Sequence, residues 1–142
     1  MITKEKFLEK LNNDLSNEFS AIIQYITYAA KIKGPFRPEL AKFFINEVAD
    51  EQQHAQFLAD KIVSLGGTPI ATASPVADAS SAKDMLKEVF KAESRAVSQY
   101  KERAKEAEEL GFKALAIDLE DMIRDETKHR EEVEKILSGW EF

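Results

Sequence analysis

The apolar stripes of this chain are interrupted by acids and histidines, and the interruption occurs twice in the same order. Four segments, about residues 3–32, 38–65, 82–110 and 112–137, carry apolar residues at spacings alternating between three and four. That is the period of a helix burying one face. The first stripe runs Leu8, Leu11, Leu15, Glu18, Ile22, Tyr25, Ala29, Ile32, and the second passes through Leu40, Phe44, Glu51, His54, Leu58 and Ile62. The third holds Leu86, Val89, Glu93, Ala96 and Tyr100. The fourth holds Leu119, Met122, Glu126, His129, Val133 and, at its end, Trp140. No segment alternates as a strand would. The chain is therefore expected to be all-α.

The breaks between stripes set the topology. Gly34, Pro35 and Pro38 separate the first two segments, and Gly111 separates the last two. Each short break predicts an antiparallel hairpin. Residues from about 66 to 80 are mostly Ala, Ser, Thr, Gly and Pro, the one long linker, and Ser81 offers an N-cap to the third helix. Fifteen extended residues can run the ~40 Å length of such helices, so the second and third can be parallel. The expected architecture is an antiparallel four-helix bundle of two hairpins joined by a long crossover, one domain over residues 1–142.

Glu18, Glu51, His54, Glu93, Glu126 and His129 occupy seam positions otherwise given to apolar residues. A carboxylate there costs several kcal/mol unless it is paired or metal-bound. No Lys or Arg is expected in the seam to neutralise four of them. Two divalent cations against four carboxylates would restore neutrality. The spacing agrees: Glu51-Gln-Gln-His54 and Glu126-Thr-Lys-His129 are both E-x-x-H, which puts acid and imidazole on one helix face. Glu18 precedes Glu51, and Glu93 precedes Glu126, by 33 residues; Tyr25 and Tyr100 each follow the single Glu by seven; Asp50 and Asp125 each precede an E-x-x-H. The pattern E-x6-Y … D-E-x-x-H thus recurs, as two hairpins about a pseudo-two-fold axis would require.

One Glu from each of two helices and Glu-x-x-His from each of the other two is the ligand set of ferritin-like di-iron and di-manganese bundles. On Asn17-Glu18, Ile23-Gln24-Tyr25, Asp50-Glu51, His54-Ala55, Arg124-Asp125-Glu126 and His129, the chain resembles the ferritin-like superfamily, bacterioferritins above all, over nearly its whole length. The resemblance implies two iron ions per subunit, Glu18 and His54 serving one, Glu93 and His129 the other, with Glu51 and Glu126 bridging. It also implies that Tyr25 supplies an electron during oxidant reduction. Mixed carboxylate and imidazole ligation suits iron(II), with manganese the nearest competitor.

The chain also departs from its relatives. Gln52 stands where bacterioferritins have a haem-ligating methionine, so no haem is expected. Ala96 replaces the extra glutamate of rubrerythrins, and the absence of cysteine excludes thiol-bearing relatives. No fifth helix is expected after the fourth, which leaves a dimer, a twelve-subunit shell or a 24-subunit cage open.

Asp50 and Asp125 are expected to bond the ring N–H of the opposite half's histidine; the alternative for each is a solvated surface acid. Tyr100 is expected to pack with its hydroxyl on a ligand. Glu47 either hands iron to the site or is an ordinary surface charge. The acidic runs at Glu106, Glu108 and Glu109 are expected to be solvated, and Phe36, Phe43, Trp140 and Phe142 to reach subunit interfaces.

The function expected is a ferroxidase that oxidises Fe(II) with dioxygen or hydrogen peroxide for storage in a homo-oligomeric shell. The alternative is a non-mineralising di-iron or di-manganese oxidase or peroxidase of the rubrerythrin type. With 26 acidic against 20 basic residues, a net charge of -6, no nucleic-acid partner is expected. No apolar leader or span is evident, so a cytoplasmic protein without membrane partners is expected.

Overall fold

The structure is a computed structural model and describes residues 1–140. Four helices make it up: α1 (Lys4–Lys31), α2 (Arg37–Ser64), α3 (Ala82–Glu109) and α4 (Lys113–Ser138). Their ends obey local chemistry. The Thr3 hydroxyl accepts from the Lys6 amide at 3.1 Å and the Ser81 hydroxyl from the Asp84 amide at 3.1 Å, capping α1 and α3. The guanidinium of Arg37 donates to the carbonyls of Ala29, Ala30 and Ile32, closing α1 from the next helix. At the far end of each hairpin's second or first helix, a glycine in the left-handed region stops the turn. Gly66 has φ 89° and Gly111 φ 84°. Gly67 N–H then reaches Ile62 O, and Phe112 N–H reaches Ala107 O, both at 2.8 Å.

α1 packs chiefly on α2, and α3 on α4; the hairpins meet mainly through α1 and α3. The linker from Leu65 to Ser81 runs as a strap along α1. Asn12 holds its start by bonds to Thr68 O and Ile70 N–H. Ser16 holds its middle, through a 2.8 Å contact between the Ser16 and Ser74 hydroxyls and the Ser74 N–H on Ser16 O at 3.1 Å. Tyr28 holds its end by donating to Ala77 O at 2.5 Å. α2 and α3 are thereby parallel, as the linker length predicts. Among the described residues, no helix is long and apolar enough to cross a membrane.

The apolar interior is divided. One cluster gathers Phe7, Leu11, Leu15, Leu58, Ile62 and Leu119 at one end, and the other gathers Tyr25, Ile32, Phe44, Met85, Leu86 and Val133 at the other. The layer between them is polar. Two expectations fail there. Arg103 is buried in α3 and bonds Asp14 of α1 through Nε at 2.6 Å and Nη2 at 3.0 Å, so a cation does lie inside the bundle. It neutralises Asp14 and Glu106 and makes no ion pair with the four seam glutamates. Glu106 is correspondingly buried, not solvated. Phe36 and Trp140 stack edge-on at 6.5 Å, and Phe43 packs on Phe44 at 5.9 Å; Phe142 lies outside the described residues.

Candidate metal centre

Each helix brings one glutamate to the polar layer, and α2 and α4 each add a histidine one turn further on. Glu18, Glu51, His54, Glu93, Glu126 and His129 are all at most 5 % exposed. Their ligating atoms form two groups within 4.8 Å: Glu18, Glu51, His54 and Glu126, and Glu51, Glu93, Glu126 and His129. Glu51 and Glu126 belong to both. A pair of cations seated in the two groups would share those two carboxylates.

The orientation of the imidazoles is fixed from outside. His54 Nε2 lies 3.0 Å from Asp125 Oδ2, and His129 Nε2 3.0 Å from Asp50 Oδ2, each Asp reaching the other hairpin's histidine. With the Nε2 proton given to Asp, the Nδ1 lone pair is left facing inward. His54 Nδ1 sits 3.0 Å from Glu126 Oε1 and 3.6 Å from Glu18 Oε1 yet hydrogen-bonds neither. His129 Nδ1 sits 3.2 Å from Glu51 Oε1 and 3.7 Å from Glu93 Oε2, again without a hydrogen bond. One oxygen each of Glu18, Glu51, Glu93 and Glu126 is also buried without a partner. Six inward-facing donors, desolvated and unsatisfied, fit divalent cations and little else.

The tyrosines complete the layer. The Tyr25 hydroxyl donates to Glu93 and the Tyr100 hydroxyl to Glu18, each across the hairpin boundary. Burial, followed by the charges of Glu93 and Glu18 respectively, holds both phenols well above their usual range. The carboxylates behave as crowded like charges must. Burial and then the other glutamates push Glu51 and Glu126 well up, so each tends to hold a proton. Burial also opposes ionisation of Glu93, but its close contacts with Glu126 and His129 outweigh burial and draw it down. Burial pulls both imidazoliums down, and the surrounding carboxylates outweigh it: Glu18 and Asp125 for His54, and Glu47, Glu51 and Glu93 for His129. Metal binding must therefore displace protons from the layer.

The six residues that spacing singles out converge in this layer, and both aspartates lie against its histidines. Spacing left Glu47 undecided. Glu47 Oε2 lies 2.6 Å from His129 Nε2, and Glu47, Asp50 and His129 form a third group of candidate donors that opens toward solvent. The Asp14–Arg103 pair was missed altogether. Asp14 is one turn before Glu18 and Arg103 one turn after Tyr100, but that spacing alone does not mark either as buried.

A family model described as a ferritin-like domain matches residues 8–141. The crystal structure of a ferritin-like, di-iron-carboxylate protein from Bacillus anthracis superposes with a TM-score of 0.93 at 40 % identity, covering 96 % of this chain and 99 % of that one. A bacterioferritin from Brucella melitensis is 29 % identical over 125 residues, 87 % of this chain and 78 % of that protein. A dodecameric thioferritin from Bacteroides fragilis shares the fold, with a TM-score of 0.86 at 23 % identity over 96 % of this chain and 87 % of that one.

Proposed function

Because the chain belongs to the ferritin-like family of di-iron proteins, we propose that it is a ferroxidase whose substrates are two ferrous ions and one small oxidant. The observation that carries this reading is the pair of donor groups sharing Glu51 and Glu126, with histidine lone pairs turned inward by Asp50 and Asp125. Two neighbouring ferrous ions can each give up one electron. Dioxygen takes both electrons and two protons to leave as hydrogen peroxide; hydrogen peroxide takes the same to leave as two waters.

The residues provide for this in four ways. Glu18 and His54 hold one ion, Glu93 and His129 the other, and Glu51 and Glu126 bridge, each carboxylate free to shift between one ion and both as charge rises. Asp50 and Asp125 keep the imidazoles in one tautomer. Tyr25, hydrogen-bonded to Glu93, stands as the residue to furnish the second electron where only one ferrous ion is present, and Tyr100 orients Glu18. Manganese would fit the same donors. Gln52 is solvent-exposed on α2 and offers no thioether for haem.

We propose further that the product is stored inside a homo-oligomeric shell of this chain. Anaerobic loading with Fe(II), admission of oxidant and measurement of native mass test both statements. Rapid oxidation with iron rising to hundreds per particle is the expected result. Oxidation that stops near two irons per chain in a small particle would overturn storage and favour the non-mineralising oxidase. No oxidation by a chain that binds two ions would overturn the ferroxidase.

A further inference from the structure

The buried layer is approached from two faces with opposite character. On the α2/α4 face, Glu47, Asp50 and Asp125 lead from solvent to the histidines, all anionic when ionised. Between α1, α3 and the strap lies a cavity of about 290 Å³ that runs from exposed Lys91 and Arg95 down to the four glutamates. Its middle is lined by the neutral amides of Asn17, Gln24 and Gln99. Small residues keep it open: Ala21 on α1 and Ala92 on α3 both line it. The mouth is a fixed frame, because the strap is tied to α1 at Ser74 on one side and at Ala77 on the other.

Charge decides what can pass. A divalent cation entering here meets the net positive charge that Arg95 leaves at the mouth, Lys91 and Glu88 offsetting one another, and then finds no free carboxylate to relay it. Glu88 is paired with Lys91 at 3.3 Å, and Asp14 is spent on Arg103. Arg95 has no carboxylate within ion-pair distance among the described residues. A small uncharged molecule pays no such electrostatic penalty, and for hydrogen peroxide the amides can replace its bonds to water. We propose that this strap-framed cavity is the route by which the uncharged oxidant, dioxygen or hydrogen peroxide, reaches the carboxylate layer, and that ferrous ions do not use it. The inference rests on the ferroxidase reading above and adds to it a separation of the two substrates by face.

The test narrows the cavity without touching a ligand. Ala21→Leu and Ala92→Leu are prepared singly and compared with the unmodified chain in two measurements. The first is anaerobic loading with Co(II), followed by its visible absorption, which reports rate and stoichiometry of cation binding. The second is the dependence of Fe(II) oxidation on dioxygen and on peroxide concentration. The expected result is unchanged Co(II) loading with a roughly tenfold lower second-order rate for oxidant, recovered as oxidant is raised. Slowed Co(II) loading would make the cavity a cation route and overturn the proposal. Unchanged oxidant dependence in both variants would overturn it as well. The two positions lie on different helices, so full Co(II) stoichiometry in either one suffices to decide. An unmodified chain that loads Co(II) but never oxidises Fe(II) would overturn the ferroxidase reading, and the route with it.

Discussion

Tyr25 and Tyr100 occupy equivalent places in the internal repeat, and their neighbours are unlike. Tyr25 packs against Phe44 at 5.9 Å, and Tyr28, one turn along α1, packs on the same ring at 6.3 Å. Tyr100 belongs instead to the other apolar cluster, with the Asp14–Arg103 ion pair one turn along α3. The repeat sets Val89 where the other half has Asp14, and Tyr28 where the other half has Arg103. It likewise sets Met122, a buried apolar residue, opposite Glu47. What repeats is the set of donors that must converge. What surrounds them has diverged, giving one half an aromatic wall and an added acid, and the other a buried cation.

Substitutions can break this comparison or sharpen it. The strongest test concerns what the halves share. Glu51→Ala removes a member of both groups and should cut Fe(II) oxidation at least about a thousandfold, ~4 kcal/mol in barrier, with far-UV circular dichroism unchanged. His54→Ala should leave Co(II) binding at the His129 group. Equal losses in the two variants would argue against bridging.

The next test targets the buried cation. Arg103→Leu strands Asp14 and should cost about 3 to 5 kcal/mol in urea unfolding. In the other half, Tyr28→Phe gives up the bond to Ala77 and the long one accepted from Gln24, and should cost about 1 kcal/mol. A third test uses pH. Burial pushes Asp14 up to about 6, against the pull of Arg103. A carboxyl raised on folding contributes most below its unfolded value near 4, and that contribution is lost as pH rises through 6. Asp14→Asn should therefore flatten the stability curve of the metal-free chain between about pH 4 and 6, by up to about 3 kcal/mol. A curve unaltered by the substitution would mean that Arg103 fully compensates the burial.

The smallest effect concerns the aspartates. Asp125→Asn should weaken Co(II) binding at the His54 half about 10- to 100-fold. Asp50→Asn should cost less than about tenfold, because Glu47 stands 2.6 Å from the same His129 nitrogen and can take the proton. Equal costs, read by calorimetric titration, would show that Glu47 adds nothing.

The helices were legible because each keeps one helical spacing from end to end, bounded by a cap or a left-handed glycine. The buried acids and histidines were legible for the opposite reason, as polar residues where the period demands apolar ones. Arg103 escaped because α3 is rich in charge along this stretch, Lys101 to Glu109, and spacing alone does not tell a buried guanidinium from a solvated one. Only its contacts with Asp14 and Glu106 reveal it. The cavity had no signature at all. It arises where small residues from α1 and α3 face a strap whose course is set by scattered bonds to Asn12, Ser16 and Tyr28.

The bonds of the polar layer have one further property. Tyr25 with Glu93, Tyr100 with Glu18, His54 with Asp125, His129 with Asp50 and Asp14 with Arg103 all run from one hairpin to the other. Each hairpin, with its short loop and local contacts, is the kind of unit that forms early. The late event is then the meeting of two preformed surfaces, each bearing two glutamates. Refolding should be limited by that meeting, and anything that neutralises the acids, a proton or a divalent cation, should speed it. Those same four carboxylates thus set the height of the chain's own kinetic barrier.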